Sequence, residues 1–142
     1  MTTDLISNML ISLQNAIKRQ YSVLEIPYSN SCLEFIKVLY KAGLIKSYIF
    51  YIKNSEENYT EKVIRIVLRY TGHWIPKPLF TKITQISKQG KRVYIKGPKL
   101  KKILLKKNFS SIFILSTSSG IMTHIQAYNL KKGGEILCCI SN

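Results

Sequence analysis

No aspartate or glutamate occurs between Glu61 and Glu135 of this 142-residue chain, while basic residues accumulate from Lys62 to Lys132. Overall, 22 lysines and arginines face 7 acids, a net charge of +15. Such an imbalance opposes compaction by self-repulsion, and a polyanionic partner would relieve it. Cysteine is also scarce. Cys32, Cys138 and Cys139 are too few and wrongly spaced for a disulfide framework or a zinc site. They are expected to be reduced and structural, in a reducing compartment, with Cys138 and Cys139 pointing to opposite faces of one strand. The only histidines, His73 and His124, are widely separated in the sequence and far from most acids, which argues against a Ser-His-acid triad. Gly133-Gly134 lacks the flanking residues of a phosphate-cradling loop. No apolar run is long enough to span a bilayer, so no membrane partner is expected. No metal, cofactor or small-molecule substrate is implied.

Alanine occurs only at Ala16, Ala42 and Ala127, whereas Ile, Lys, Asn, Tyr and Phe abound. Those residues have AT-rich codons, so an AT-biased genome is expected: mitochondrial, plastid or bacterial. The N-terminus opens on a helical pattern with an early Asp4. It has neither the order of a secretory signal nor the look of a transit peptide, and no leader is expected.

What is present reads as an α+β protein of two small domains. Residues 1–72 form an N-terminal α-β-α-β-β unit, and residues 73–142 form a mainly β domain with short helices. Ile6, Met9, Leu10, Leu13 and Ile17 share one face of a helix over 4–17, capped by Thr3 or Asp4. Tyr21–Ile26 alternate as a strand stopped by Pro27. Ser29 or Ser31 caps a second helix, with Leu33, Ile36, Val38, Leu39 and Tyr40 on its apolar side and Gly43 as its stop. Strands over 44–53 and 62–70 flank an acidic loop. Thr71-Gly72, Pro76 and Pro78 mark the boundary. Beyond it, strands are predicted over 80–86 and 92–96 around a basic turn. A helix over 99–107 carries Leu100, Ile103 and Leu104 inward. A strand over 111–115 follows, then a helical turn or two over 123–130, and a last strand over 135–140 that is apolar on both faces.

Two stretches carry chemistry. Ser116-Thr117-Ser118-Ser119-Gly120 places four hydroxyls before a glycine, and buried hydroxyls need partners. They can bond their own backbone in a turn, or they can read a ligand. Around Lys88, Lys91, Arg92 and Tyr94, basic and aromatic residues interleave, as a nucleic-acid backbone with a stacking ring requires, although Tyr94 could equally be core. Lys99 and Lys102 lie on the lysine-rich outer face of the short helix. No basic helix sits in a helix-turn-helix or zinc context, so folded RNA fits better than duplex DNA. Lysines would set affinity through phosphates and the hydroxyls would set specificity.

Ser116-Thr117-Ser118-Ser119-Gly120-Ile121-Met122-Thr123, followed by Gly133-Gly134-Glu135-Ile136-Leu137, resembles the C-terminal signature of small-subunit ribosomal protein eight in its bacterial form. Further matches fall in order. Asp4 to Ala16, with Met9-Leu10 and Asn15-Ala16, resembles the family's first helix. Pro27-x-Ser29, with Leu39 and Gly43-Leu44-Ile45, resembles its second. Ser87-Lys88-x-Gly90-x-Arg92-Val93-Tyr94 resembles its central basic turn. The resemblance implies a two-domain fold and a structural role: binding the central domain of small-subunit rRNA, supporting subunit assembly and translation beside neighbouring small-subunit ribosomal proteins. Carried over, Ser116, Thr117, Ser118 and Gly120 make the specific RNA contact, with Ser119 beside them. Met122 and Thr123 support the loop, and Glu135 anchors nearby. Thr3, Asn15 and Ser29 are the corresponding candidates in the N-terminal half. The sequence departs from the family's pattern where Ser119 replaces a lysine and where Ser12 and Gln14 replace arginines. Asn30 and Cys32 replace basic residues, and His124-Ile125-Gln126 replaces a charged triplet. These departures fit an organellar ribosome, mitochondrial by preference and organelle-encoded, with plastid or bacterial cytoplasm as alternatives. The competing reading is a basic RNA-modifying or hydrolytic enzyme that uses the hydroxyl loop with Ser116 and His124.

Overall fold

The computed structural model describes residues 2–54, 56, 59–72, 74–106 and 111–141, excluding the side chains of residues 2–4 and 103–106. The architecture is α+β. Two compact units divide the chain, Met1–Leu79 and Phe80–Asn142.

In the first unit, α1 (Thr2–Lys18), β1 (Val23–Pro27), α2 (Asn30–Lys41), β2 (Ile45–Asn54) and β3 (Thr60–Leu68) follow one another. The strands form an antiparallel sheet in the order β1-β3-β2. The helical spacing does what it predicts: Ile6, Met9, Leu10, Leu13 and Ile17 are all buried. Phe35, Ile36 and Leu39 of α2 are fully buried, as are Ile64 and Ile66 of β3. Tyr40, assigned to the apolar side, is instead 49% exposed, because it falls at the end of the helix and leans edge-on against Tyr48. Ser29 is the cap, its hydroxyl accepting the Cys32 N–H at 3.1 Å, whereas Ser31 lies inside the helix. α1 begins at Thr2, so Thr3 and Asp4 lie within its first turn rather than before it, and their side chains fall outside the described residues. Tyr70 leaves the long strand. Tyr70–Thr71 (β4) pair with Lys77–Pro78 (β5), and this ladder keeps residues 74–79 with the first unit.

The second unit contains β6 (Lys82–Gln85), β7 (Tyr94–Ile95), α3 (Gly97–Lys106), β8 (Ile112–Thr117), β9 (Gly120–Thr123), α4 (His124–Asn129) and β10 (Gly134–Ser141). Its sheet runs β6-β10-β8-β9, with β7 also on β10. The two strands predicted around the basic turn shrink to β6 and β7, and both pair with β10 rather than with each other. β10 is therefore the central strand, which explains why Ile136 to Ile140 are all buried. Leu100, Phe113, Leu115, Met122, Ala127, Ile136 and Cys139 form its core cluster. The inward placement of Ile103 and Leu104 and the end of the helix at Lys107 lie outside the described residues, as does His73, while the strand predicted from Ser111 begins at Ile112. All three cysteines are buried, and burial pushes the Cys138 thiol far up, so it holds no reactive thiolate.

Candidate RNA interface

The hydroxyl stretch is a β-hairpin, not a loop after a strand. Ser116 and Thr117 end β8, Ser118 and Ser119 turn, and Gly120 opens β9, with Thr117 opposite Gly120. Thr117 organises the turn. Its hydroxyl donates to the Gly120 carbonyl (2.9 Å) and accepts the Ser119 N–H (3.2 Å). For this side chain the self-bonding turn reading is therefore what the structure contains. Ser118 and Ser119 are exposed at the tip. Gly120 has φ +109°, a region that disfavours side chains, and open space where a Cβ would lie. Met122 is buried beneath the hairpin, its sulfur 3.8 Å from the Thr117 hydroxyl.

The hairpin is fixed by the glycine pair. A Cβ on Gly134 would strike the Ser116 carbonyl, and one on Gly133 would strike the Ile95 carbonyl and the Gly97 nitrogen. Two bare backbones thus let β8, β10 and the β7–α3 link approach. The same register aligns a row across three strands: Ser116 is opposite Glu135, and Glu135 is opposite Tyr94. Directly paired residues project from the same face, so a hydroxyl, a carboxylate and a phenol stand side by side. Tyr94 is 68% exposed, which removes its reading as core. Glu135, mostly buried, lies 3.7 Å from the Arg92 guanidinium through one oxygen. Its other oxygen is buried and without a hydrogen-bond partner among the described residues.

Ser87 builds the basic turn. It is 1% exposed, and its hydroxyl accepts the Val93 N–H at 3.0 Å. Val93 in turn accepts the Ile136 N–H of β10 at 2.9 Å. Lys88 and Lys91 exchange both backbone hydrogen bonds at 2.9 Å across Gly90, which has φ +81°. Lys88, Lys91 and Arg92 are therefore exposed cations on a pinned turn that leads straight into Tyr94. On α3, Leu100 is buried while Lys99 and Lys102 are exposed.

Thr123 has a different task. With Gln126 it forms a reciprocal capping box for α4. His124, next in line, is 6% exposed and accepts the Phe113 N–H on Nδ1 at 3.1 Å. Burial holds its pKa below the usual histidine value. A ring whose Nδ1 is committed to the backbone of β8 is a packing element, not a general base.

Sequence reasoning missed Lys132. Its ammonium donates to the Ser119 hydroxyl, bringing a cation to the hairpin tip from the turn before Gly133. The resemblance implies a lysine at position 119; here a serine stands there and the charge arrives from a neighbouring segment. The signal was the adjacency of Lys132 to Gly133-Gly134, but only the close approach of Gly134 to Ser116 shows where it lands. The structure thus brings together the hairpin, Lys132, Glu135, Arg92 and Tyr94. Asn15, exposed on α1, and Ser29, whose hydroxyl is used by its own helix, belong to the first unit. Thr3 has no described side chain.

These features define a basic α+β protein with an exposed, hydroxyl-bearing hairpin tip beside clustered cations. The family model for ribosomal protein S8 matches residues 4–141, and the chain belongs to that family. It is 39% identical over 140 residues to small ribosomal subunit protein uS8 of Flavobacterium johnsoniae, covering 99% of each chain. It is 39% identical over 142 residues to uS8c of Cyanidium caldarium and 36% identical over 140 residues to uS8c of Trieres chinensis, again over 99% of each. The protein is a structural ribosomal protein of the small subunit and not an enzyme, of an organellar or bacterial type. The enzymatic alternative is set aside.

Proposed function

We propose that the protein binds the central domain of small-subunit rRNA and thereby supports subunit assembly and translation, alongside neighbouring small-subunit ribosomal proteins. The observation that carries this reading is the three-strand row Ser116-Glu135-Tyr94 beside the exposed hairpin tip. Ser116, Ser118, Ser119 and the open backbone at Gly120 offer short-range donors and acceptors to 2′-hydroxyls and base edges. Tyr94 offers a ring for stacking, and Glu135 anchors Arg92 beside it. Lys88, Lys91, Arg92, Lys99, Lys102 and Lys132 supply phosphate contacts. Thr117, Met122 and Thr123 act indirectly, by holding the hairpin and α4 in place. Asn15 and Thr3 are secondary contacts on the first unit, with Ser29 as a helix cap. The finer placement, a mitochondrial ribosome, rests on the missing basic residues at positions 12, 14, 30 and 32, the AT-codon composition fitting a plastid or bacterium equally. Fractionation of a tagged chain with mitochondrial or plastid ribosomes decides it.

The test is binding to a central-domain rRNA fragment and to an unrelated duplex across a salt series. Wild type is compared with the Ser116→Ala/Thr117→Ala/Ser118→Ala variant and with Thr117→Ser, which keeps the hydroxyl that builds the turn. The triple variant is expected to keep the salt slope while losing preference for the cognate fragment, and Thr117→Ser to keep both. Equal preference in all three proteins would make the hairpin only a turn and overturn the reading.

A further inference from the structure

We infer that the first unit carries a second RNA site, an open cleft where α2 ends and β2 begins, which takes a single-stranded segment by its phosphates and one base. The inference rests on the ribosomal reading only for the supply of RNA, and it uses none of the residues assigned above. The cleft encloses about 750 Å³, within the roughly 300–1,000 Å³ of ligand clefts, and is lined by Tyr40, Lys41, Lys46, Arg69 and Tyr70 around Gly43 and Ile45. Among the described residues no carboxylate lines it, and none of its three cations makes an ion pair. Its shallow shape suits a polymer better than an engulfed small molecule.

Two of the cations have a duty in the fold. Lys41 lies in the last turn of α2, where a positive charge offsets the helix dipole. Arg69 donates to the Gly43 carbonyl at 3.2 Å, which closes the helix end and fixes the guanidinium at the cleft wall. Lys46 has no such duty, yet it brings a third charge to the same concavity. The rings favour RNA over an acidic polypeptide. Tyr40 is half exposed and is held against Tyr48 at 5.5 Å and 75°, an oriented ring beside cations, which is the arrangement that stacks a nucleobase. Tyr70 is anchored by its hydroxyl on the Tyr21 carbonyl at 2.5 Å, so this wall is preorganised.

The test uses the full chain carrying Ser116→Ala and Ser118→Ala, so that the hairpin does not dominate, with a twelve-residue oligouridylate as probe. Lys41→Gln/Lys46→Gln is expected to lower the salt slope of binding by about 1.4, two single-strand phosphate contacts. The control Lys37→Gln/Lys82→Gln, which removes the same charge from exposed positions outside the cleft, is expected to leave the slope unchanged. Tyr40→Leu is expected to weaken binding about tenfold, with Tyr40→Phe restoring it. A 4-thiouridine version of the probe is expected to crosslink to the peptide containing Tyr40. Equal slopes for the two double variants, or crosslinks confined to the second unit, would overturn the site while leaving the hairpin reading intact. Tighter binding of polyglutamate than of the oligouridylate, lost in the cleft variant, would assign the cleft to an acidic protein and overturn the RNA occupant. Loss of fragment preference in the hairpin test has no bearing on any of these outcomes.

Discussion

The two units treat their carboxylates in opposite ways. In the first, Glu25 sits on the sheet face away from the helices and collects a full set of partners. Arg65 donates at 2.8 and 3.1 Å, the Tyr51 hydroxyl at 2.5 Å, and Lys53 lies 3.8 Å away. The hydrogen bonds from Tyr51 and then Arg65 hold its carboxyl below the usual glutamate range. In the second, Glu135 is the only acid, and it has one cation at 3.7 Å and one buried oxygen with nothing bonded to it among the described residues. One unit neutralises this carboxylate with its own side chains on an exposed surface. In the other, a single cation lies against Glu135, and its lysines make no ion pair among the described residues. On the reading proposed above, the completeness of the partner set, not exposure, separates a structural charge from a binding charge.

The largest effects test whether the units have separate cores. Phe35 and Leu115 are both 0% exposed. Phe35→Ala is expected to cost about 3–5 kcal/mol and Leu115→Ala about 2–5 kcal/mol. Hydrogen exchange read by peptide should rise in the first unit for Phe35→Ala and in the second for Leu115→Ala. Uniform rises across both units in either variant would merge what the comparison keeps apart.

Next come the glycines, which separate crowding from conformation within one hairpin. Gly134→Ala pushes a Cβ into the Ser116 carbonyl and is expected to cost about 1–3 kcal/mol in urea midpoint experiments. Gly120→Ala meets open space and has only its φ of +109° against it, so about 1–2 kcal/mol is expected. Gly134→Ala should also disturb the Ser116-Glu135 pairing, and with it RNA preference. If Gly120→Ala proved the more damaging to stability, the tight approach of β8 and β10 would not be what fixes the hairpin.

Much of this was legible beforehand because local patterns and tertiary demands agree. The 3.6-residue spacing in Ile6 to Ile17 produced a buried helix face, and the branched run ending at Leu115 produced a buried strand. Short strands were less legible. Residues 80–86 and 92–96 alternate like a hairpin, but their partner is β10, about forty to sixty residues on, and no local pattern encodes that choice. For the same reason the motif was recognisable as a string of residues before its geometry was. Ser116-Thr117 reads as the start of a loop, yet pairing with Glu135 and with Gly120 keeps it in the sheet. Lys132 lies thirteen positions beyond Ser119 and meets it only because Gly134 lets two backbones close up.

The smallest effects are in pH dependence, and they assign one acid limb to each unit. His124 is neutral in the fold, its pKa lowered by burial, while the unfolded chain titrates near about 6.5. Above that pH neither state binds the proton and the contribution is constant. As pH falls, the unfolded chain takes the proton first, so the second unit loses stability progressively until the folded pKa is passed. His124→Gln should flatten this limb in thermal melts. Glu25 acts lower. Its folded pKa lies below the ordinary value near 4.5, so its contribution is present above that pH and fades as pH falls through the folded value. Because this carboxylate is solvent-accessible, screening makes the limb shallow, and added salt should erase it. Glu25→Gln is therefore expected to leave the melting temperature at neutral pH nearly unchanged and to remove only the salt-sensitive limb below pH 4.5 in exchange of the first unit. A loss of that limb in His124→Gln instead would mean that the acid response of the two units is shared.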